Sequence, residues 1–415
     1  MNNYLIIADD FTGANDTGLQ IRRRGIPVRV FLSWPDEKTA GSCVLDTESR
    51  FLSEEEAFQK LLSAVKKIPF ENFSRVFKKV DSTLRGNIGA ETKALAETYK
   101  PDIIVFAPAF PDLGRTTVNR IHCISGTPVS RTEFASDSKA PVKCDDIRKI
   151  MEDAFPKKKL VHTGLDEIRK NKINLNTGEV FTFDAETNED LQIIARTLLA
   201  QAGALRTERK ILWIGSAGLA DNLLNEELPV PPAMAVIGSL SSVTRSQVYF
   251  SERQGTPLVK IPLYAILEKA VSRETIADEA VSHIKNGKDV ILLFSSVYST
   301  EEYSKTEERA RLSGFSPEAM SVFAQKTIGG ITVLILEKAE VSGLFLSGGD
   351  TTVSCLEGAG AMGSEIEAEI AAGMPLVKLM GGKYDGLKVI TKAGAFGKED
   401  AISFGLRKLR ERNEP

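Results

Sequence analysis

The sequence is poor in the residues that build metal and redox centres. Its three histidines, His122, His162 and His283, are scattered, and its four cysteines, Cys43, Cys123, Cys144 and Cys355, lie far apart with no Cys-x-x-Cys pair. Such spacing suggests neither a zinc site nor a disulfide framework, and reduced thiols fit a reducing compartment. No apolar run approaches the roughly 20 residues that cross a bilayer, so no membrane span is expected. A net charge of -3 with no basic block gives none of the electrostatic footprint of a nucleic-acid binder. The opening residues Met1–Asp10 lack a basic start, a long apolar stretch and a small-residue cleavage site, and cytoplasm is the expected compartment. Low-complexity tracts and internal repeats are also missing.

What is present is an ordinary globular composition, 42% hydrophobic and 26% charged, over 415 residues. That length exceeds what one core usually serves, so two domains of about 200 residues are expected. Short apolar runs alternate with helical patterns from the first residue on, the rhythm of βα units around a mostly parallel sheet. Strands are predicted at Tyr4–Ala8, Val28–Leu32, Cys43–Leu45, Arg75–Val80, Ile103–Ala107, Val180–Phe183 and Ile211–Ile214. Ser53-Glu54-Glu55-Glu56 reads as a capping box opening a helix to about Ile68, and Asn188–Gln201 has helical spacing. The strongest break is Asn225–Pro232, where Pro229, Pro231 and Pro232 stiffen the chain and remove donors. Beyond it the pattern restarts with strands Ala235–Ile237, Val290–Phe294 and Leu344–Leu346, a helix from Val243 and a long one around Glu318–Leu334. The expected fold is α/β: two α/β domains with mostly parallel sheets, 1–228 and 229–415, and an active site in the cleft between them.

In open α/β sheets ligands sit beyond the carboxyl ends of strands, so polar clusters that follow apolar runs mark candidate sites. Asp9-Asp10-Phe11-Thr12-Gly13-Ala14-Asn15-Asp16 follows the first strand and gathers three carboxylates, a hydroxyl and an amide around a glycine turn. Such a group accepts substrate hydroxyls, holds a metal or supplies a general base; the plain alternative is a loop in which Thr12 or Asn15 caps the next helix. In Lys78-Lys79-Val80-Asp81-Ser82-Thr83-Leu84-Arg85-Gly86-Asn87 the two-residue period puts Lys79 and Asp81 on one face. Arg85 then offers a bidentate grip for a carboxylate, and a helix starting near Ile88 has its N–H groups free; the alternative is a solvated ion pair. Phe106–Pro111 followed by Gly114-Arg115-Thr116-Thr117 is a rigid loop delivering a further cation. Ile214-Gly215-Ser216-Ala217-Gly218-Leu219 is another strand-to-helix turn, for which packing of small residues is an equal alternative.

The second half carries glycine turns in place of charge. Leu346-Ser347-Gly348-Gly349-Asp350-Thr351-Thr352 reads as strand, turn and helix start, with backbone N–H groups and a helix dipole aimed at one spot. It lacks the Gly-Lys-Ser/Thr ending of a standard P-loop. Two more such turns are Ile237–Thr244 and Thr391-Lys392-Ala393-Gly394-Ala395-Phe396-Gly397, the latter ahead of a helix from Glu399 to about Arg410. Gly358-Ala359-Gly360-Ala361-Met362-Gly363 matches the dinucleotide spacing, but it follows a helical stretch, where glycine naturally ends a helix.

Taken together and in order, these segments resemble the four-carbon acid sugar kinase family, over nearly the whole chain. The resemblance rests on Ala8–Gly18, Lys78–Gly89, Ala107–Pro111 with Gly114–Thr117, Gly215–Ala220, Ser347–Thr351 and Thr391–Gly397. It implies phosphorylation of threonate, erythronate or 3-oxo-tetronate by ATP with Mg2+, the sugar acid on the amino-terminal domain and the nucleotide on the carboxy-terminal one. It further implies acid contacts at Asp9, Asp10, Lys79, Asp81, Ser82 and Arg85, and ATP contacts at Ser239, Gly348, Gly349, Asp350, Thr351 and Gly394. Ala14-Asn15-Asp16-Thr17-Gly18 looks more like the threonate and erythronate kinases, with the 3-oxo-tetronate 4-kinases as the alternative. The run Arg22-Arg23-Arg24 is expected to be a solvated face.

The expected chemistry places the acid's carboxylate on Arg85 with Lys79 or Arg115, and Asp10, ahead of Asp81, as the base for the terminal hydroxyl. Metal ligands stay unassigned, and a homodimer stays open. Two rivals are a nicotinamide-dependent sugar-acid dehydrogenase, motivated by Gly358–Gly363, and a non-catalytic sugar-acid sensor.

Overall fold

The computed structural model describes residues 3–35, 40–203 and 209–412. The chain divides into two compact units, Met1–Pro229 and Val230–Pro415, and the division falls inside the proline-rich segment.

The first unit opens with β1 (Tyr4–Ala8), α1 (Phe11–Arg22), β2 (Val28–Phe31), β3 (Ser42–Asp46) and α2 (Glu54–Val65). It continues with β4 (Arg75–Lys79), α3 (Ile88–Tyr99), β5 (Ile103–Ala107), and an inserted trio β6 (Arg115–Val118), β7 (Ile121–Ile124) and β8 (Thr127–Pro128). Then come α4 (Ile147–Ala154), β9 (Leu160–Thr163), α5 (Leu165–Arg169), β10 (Val180–Phe183), α6 (Asn188–Gly203), β11 (Ile211–Gly215) and α7 (Ala217–Glu227). Eight strands form one parallel sheet in the order β2-β3-β1-β4-β11-β5-β10-β9, and β6-β7-β8 make a small antiparallel sheet of their own. Every residue of β1, β3, β5, β10 and β11 is buried. That is why these strands read as unbroken apolar runs: helices cover both faces of a parallel sheet.

The second unit runs β12 (Met234–Ile237), α8 (Ser242–Arg253), β13 (Leu258–Ile261), α9 (Leu263–Leu267), α10 (Arg273–Lys285) and β14 (Val290–Phe294). After α11 (Ser295–Tyr298), α12 (Thr300–Leu312) and α13 (Pro317–Lys338) come β15 (Leu344–Ser347) and α14 (Gly349–Gly358). It closes with β16 (Gly363–Ala371), β17 (Met374–Met380), β18 (Lys388–Lys392) and α15 (Ala401–Leu409). The sheet order is β13-β14-β12-β15-β18-β17-β16, parallel through β18 and antiparallel at β17 and β16. The Gly358–Gly363 segment ends α14 and leads into β16, with Gly360 at φ +70, so its spacing carries no dinucleotide fingerprint.

Several sequence expectations need correction. Ser53 does cap α2 with a full capping box, but the helix stops at Val65, short of the Ile68-Pro69 step where helical geometry is disfavoured. The helix expected from Glu399 starts at Ala401. Among the described residues one helix is long and apolar enough to cross a bilayer after all: α13 has 22 residues, with a mean hydropathy of 1.5 over its most apolar 18-residue window. Here Ile328, Ile331 and Ile335 carry it into the core of the second unit. Arg24 is not solvated, since it donates to Asp221 at 2.8 Å and Asn225 at 2.5 Å and ties α1 to α7.

Gly405 on α15 presses against the fully buried ring of Phe345 on β15, where an added Cβ would lie 2.4 Å from Cδ2. Alanine ordinarily stabilises a helix interior by about 1 kcal/mol over glycine, but overpacking a closed core costs about 1–3 kcal/mol. The clash wins, and Gly405→Ala is expected to lower the urea midpoint.

Candidate active site

In the first unit the chain leaves β1 toward β2 and β3 on one side, then returns to place β4 on the other. The winding therefore reverses between β1 and β4, and the crevice beyond their carboxyl ends is where an open sheet binds ligands. Asp9 and Asp10 follow β1 there, and Val80–Arg85 follow β4. Asp10, and neither Thr12 nor Asn15, caps α1: its Oδ1 accepts from Gly13 N at 3.1 Å. Thr12 and Asn15 lie inside the helix.

The segment after β3 supplies a residue that the sequence reading passed over. Thr47 N donates to Ala8 O, and Ser49 N and Arg50 N donate to Asp9 O, so this segment runs alongside the end of β1. It delivers Arg50, which grips Asp9 with Nε and Nη2 at 2.8 and 2.9 Å and reaches Asp10 Oδ1 at 2.6 Å. Gly86, at φ +92, lies against both: a Cβ there would come within 3.2 Å of Asp9 Oδ2. A polar cluster after an apolar run was the available signal, since Thr47–Arg50 follows Cys43–Leu45 as Asp9 follows Ala8.

Behind this grip lies a second, fully buried ion pair, Lys78 to Glu91 at 2.8 Å, with Ser49 Oγ donating to Glu91. Burial alone would raise Asp9, but Lys78, Arg50 and Lys79 outweigh it and hold the carboxyl below its ordinary range. Burial pulls Lys79 down despite Asp9 and Asp81. Its ammonium has no hydrogen bond among the described residues and lies beside Gly13, where a Cβ would be 2.9 Å from Nζ and 2.5 Å from Asp10 Oδ1. Only glycine leaves the space between that carboxylate and that ammonium open. Asp9, Asp10, Asp81 and Glu91 thus face Arg50, Lys78, Lys79 and Arg85, four charges of each sign. Asp46, at the end of β3, is pushed up to about 6, chiefly by burial, with Glu48 and Asp10 adding to it.

Arg85 is already engaged. Its Nε donates to Asp81 at 2.6 Å and Nη1 to Asp137 at 3.3 Å, and the guanidinium stacks 5.2 Å from the Phe134 ring centre. Burial would raise Asp81, but Arg85, Arg50 and the Thr83 hydroxyl together lower it. Ser82 is fixed through its carbonyl, which accepts from His122 Nε2 at 2.8 Å. His122 is buried, and desolvation depresses it to about 4, so it is neutral. Arg115 is not brought into this group; its guanidinium donates to Leu113 O in its own loop. The Gly215–Gly218 turn is packing: Ser216 caps α7 and bonds Ala109 O, and a Cβ on Gly218 would meet that oxygen at 2.6 Å.

The second unit repeats the winding, with β13 and β14 on one side of β12 and β15 on the other. Its switch point lies beyond β12 and β15, where the three glycine turns meet. A Cβ on Gly238 would fall 1.7 Å from Thr351 Oγ1, one on Gly394 2.1 Å from Ser239 Oγ, and one on Gly348 3.4 Å from Ser239 N. Gly238 and Gly394 make room for the Thr351 and Ser239 side chains, and Gly348 lies against the backbone of Gly238 and Ser239. Gly348 sits at φ +110 and no side chain caps α14, so the first amides of that helix are unspent. Ser239, Gly348, Gly349, Asp350, Thr351 and Gly394 therefore surround one place. Beside it opens a cavity of about 870 Å³ with Leu240, Leu263, Phe294 and Met320 in its wall, within the roughly 300–1,000 Å³ of ligand sites. Among the described residues no group of three or more His, Cys, Asp or Glu could hold a metal.

A model of a sugar-binding N-terminal domain matches residues 4–223, and one of a nucleotide-binding C-terminal domain matches residues 234–402. The chain is 31% identical to a D-threonate kinase of Salmonella typhimurium, covering 98% of each protein. It is 26% identical to a D-erythronate kinase of Heliobacterium modesticaldum, covering 100% of each. In structure it is similar to a Bordetella bronchiseptica protein described as a domain of unknown function, a domain-swapped dimer with bound citrate. There the TM-score is 0.58 and the identity 25%, over 99% of this chain and 100% of that one.

Breaking the Arg50 grip strands Asp9, and Arg50→Met is expected to cost about 3–5 kcal/mol at pH 7 in urea denaturation. Asp9 is depressed in the folded state, so its contribution is present above the ordinary carboxylate pKa and fades as pH falls below it. The gap between variant and parent should narrow correspondingly in acid.

Proposed function

The chain belongs to the four-carbon acid sugar kinase family, and from that premise we propose that it transfers the γ-phosphate of ATP to the 4-hydroxyl of D-threonate or D-erythronate. The observation that carries this reading is the division of chemistry between two switch points. One gathers buried cations and carboxylates suited to a small hydroxy acid, and the other gathers glycine turns suited to a polyphosphate. The sequence identity to the D-threonate and D-erythronate kinases supports that choice of acid over 3-oxo-tetronate.

In the proposed reaction Lys79 is the cation left for the substrate carboxylate, since Arg50 and Arg85 are spent on Asp9, Asp10 and Asp81. Burial lowers its competition from water. Ser82, held by His122, adds a hydroxyl. Asp10 is the base: Oδ1 is fixed by Gly13 and Arg50, while Oδ2 has no hydrogen bond among the described residues and is left for a substrate hydroxyl. Asp81 is tied up by Arg85 and the Thr83 hydroxyl, which hold its carboxyl low.

On the nucleotide side the amides at Gly348 and Gly349 receive phosphate oxygens, and the neighbouring cavity, where Leu240, Leu263, Phe294 and Met320 stand among polar residues, receives the base. Mg2+ keeps several waters and takes phosphate oxygens with only one or two carboxylates, and Asp350 in the first turn of α14 would be the carboxylate to hold it. The ion, when bound, neutralises charge on the transferred group. Transfer requires the hydroxyl to come in line with the γ-phosphate, which makes positioning the main contribution of this chain's residues. The domain-swapped Bordetella bronchiseptica relative supports a homodimer here as well.

Release of ADP in a coupled assay, run with ATP and Mg2+ over the stereoisomers of the four-carbon acids, tests the reading. Turnover with D-threonate or D-erythronate is expected, and measurable binding without release would favour a sensor. Asp10→Asn should lower kcat about 10²–10⁴-fold; near-normal turnover at saturating substrate would remove Asp10 as base.

A further inference from the structure

One buried cation in the second unit has no carboxylate beside it. Lys392 ends β18 opposite Ser347 of β15 and is 3% exposed. Its Nζ donates to three main-chain carbonyls of the turn that follows, Ala393 at 3.0 Å, Gly394 at 3.2 Å and Phe396 at 3.0 Å. An ammonium has three N–H bonds, so none is left for a phosphate. Burying a cation among neutral groups is costly unless the hydrogen bonds are made, and here they all converge on one loop. From the opposite side Gln247 of α8 donates to Phe396, Gly397 and Lys398 carbonyls, while Ser241 and Thr244 hydroxyls donate to Gly394 O at 2.6 and 2.7 Å.

We infer that Lys392 is a positioning residue of the nucleotide site, holding the Ala393–Gly397 turn in the shape that seats Gly394 against Ser239. The inference rests on the nucleotide reading of this unit. In a planar trans peptide the C=O of one residue and the N–H of the next point opposite ways. Drawing the carbonyls of 393, 394 and 396 toward Lys392 therefore turns the N–H groups of 394, 395 and 397 away from it. Such consecutive outward amides are what an anion meets in a backbone nest. Losing the ammonium would remove the one partner these carbonyls share, leaving Gly394 O to Ser241 and Thr244, Phe396 O to Gln247 and Ala393 O to Phe396 N, and would loosen the direction of those amides. No other charged group contributes to the titration of Lys392, which desolvation alone lowers to about 8. The groups that face it are the three turn carbonyls and the β15 strand.

The test is Lys392→Met, which keeps the aliphatic stem, read by hydrogen exchange of the 394–398 amides without nucleotide and by calorimetric Mg-ATP binding. Faster exchange in that loop and about tenfold weaker ATP binding are expected, with unchanged affinity for the sugar acid. Unchanged exchange overturns the inference, and so does weaker ATP binding without faster exchange, which would make Lys392 a direct phosphate ligand. If the variant fails to fold, the unmodified chain supplies a second arm. The protonated form is the one that holds the turn, so ATP affinity should fall as pH rises through 8. Between pH 7.5 and 9 the protonated fraction of such a group drops about eightfold, and a flat profile counts against the role. Failure of the unmodified chain to bind ATP at all would instead overturn the nucleotide reading and this inference with it.

Discussion

A parallel sheet wound outward in both directions from one strand cannot close its own crest. Where the winding reverses, adjacent crossovers depart to opposite sides and leave a crevice beyond the carboxyl ends of two neighbouring strands. Both units obey this constraint, at β1 with β4 in the first and β12 with β15 in the second. The charged cluster of the first unit and the glycine turns of the second lie at those two gaps.

The gaps are furnished by opposite strategies. In the first, charged side chains are taken out of water and neutralised against each other, Arg50 on Asp9 and Asp10 and Lys78 on Glu91. Each pair is rigid because releasing either partner would leave a bare charge in a low dielectric. The rigidity leaves the Lys79 ammonium and one oxygen of Asp10 without hydrogen-bond partners among the described residues. In the second gap glycines let three turns close on one another, and the first amides of α14 have no side-chain cap. A small hydroxy acid needs directional partners of both signs; a polyphosphate needs many donors of one kind.

Much of this was legible in the sequence, and the reasons are specific. Fully buried parallel strands such as Ile103–Ala107 announce themselves as apolar runs, and the three glycine turns stand out because nothing else explains glycine there. Their convergence is a property of strand order, which local pattern does not carry. Arg50 is hard to find in sequence because it sits in an irregular segment four residues beyond Asp46, with no glycine to flag it. Arg85 was read as a free cation because sequence shows a side chain's chemistry without its partners; Asp137 lies 52 residues away. The antiparallel end of the second sheet was missed because β16 is exposed on most of its length and alternates Glu365, Glu367 and Glu369 with small or branched residues.

That exposed strand has a bearing on how the chain behaves in a crowded solution. As the last strand of its sheet, β16 presents a row of unsatisfied main-chain groups, with Ile366 standing 77% exposed beside them. A flat, greasy border of that kind would recruit strands from other molecules. Two register breaks, at Ile366/Ala368 and Glu369/Ala371, interrupt it, and Glu365 and Glu369 make any stacking of like copies electrostatically uphill, Glu367 being paired with Lys378. The border is left open and made inhospitable to aggregation.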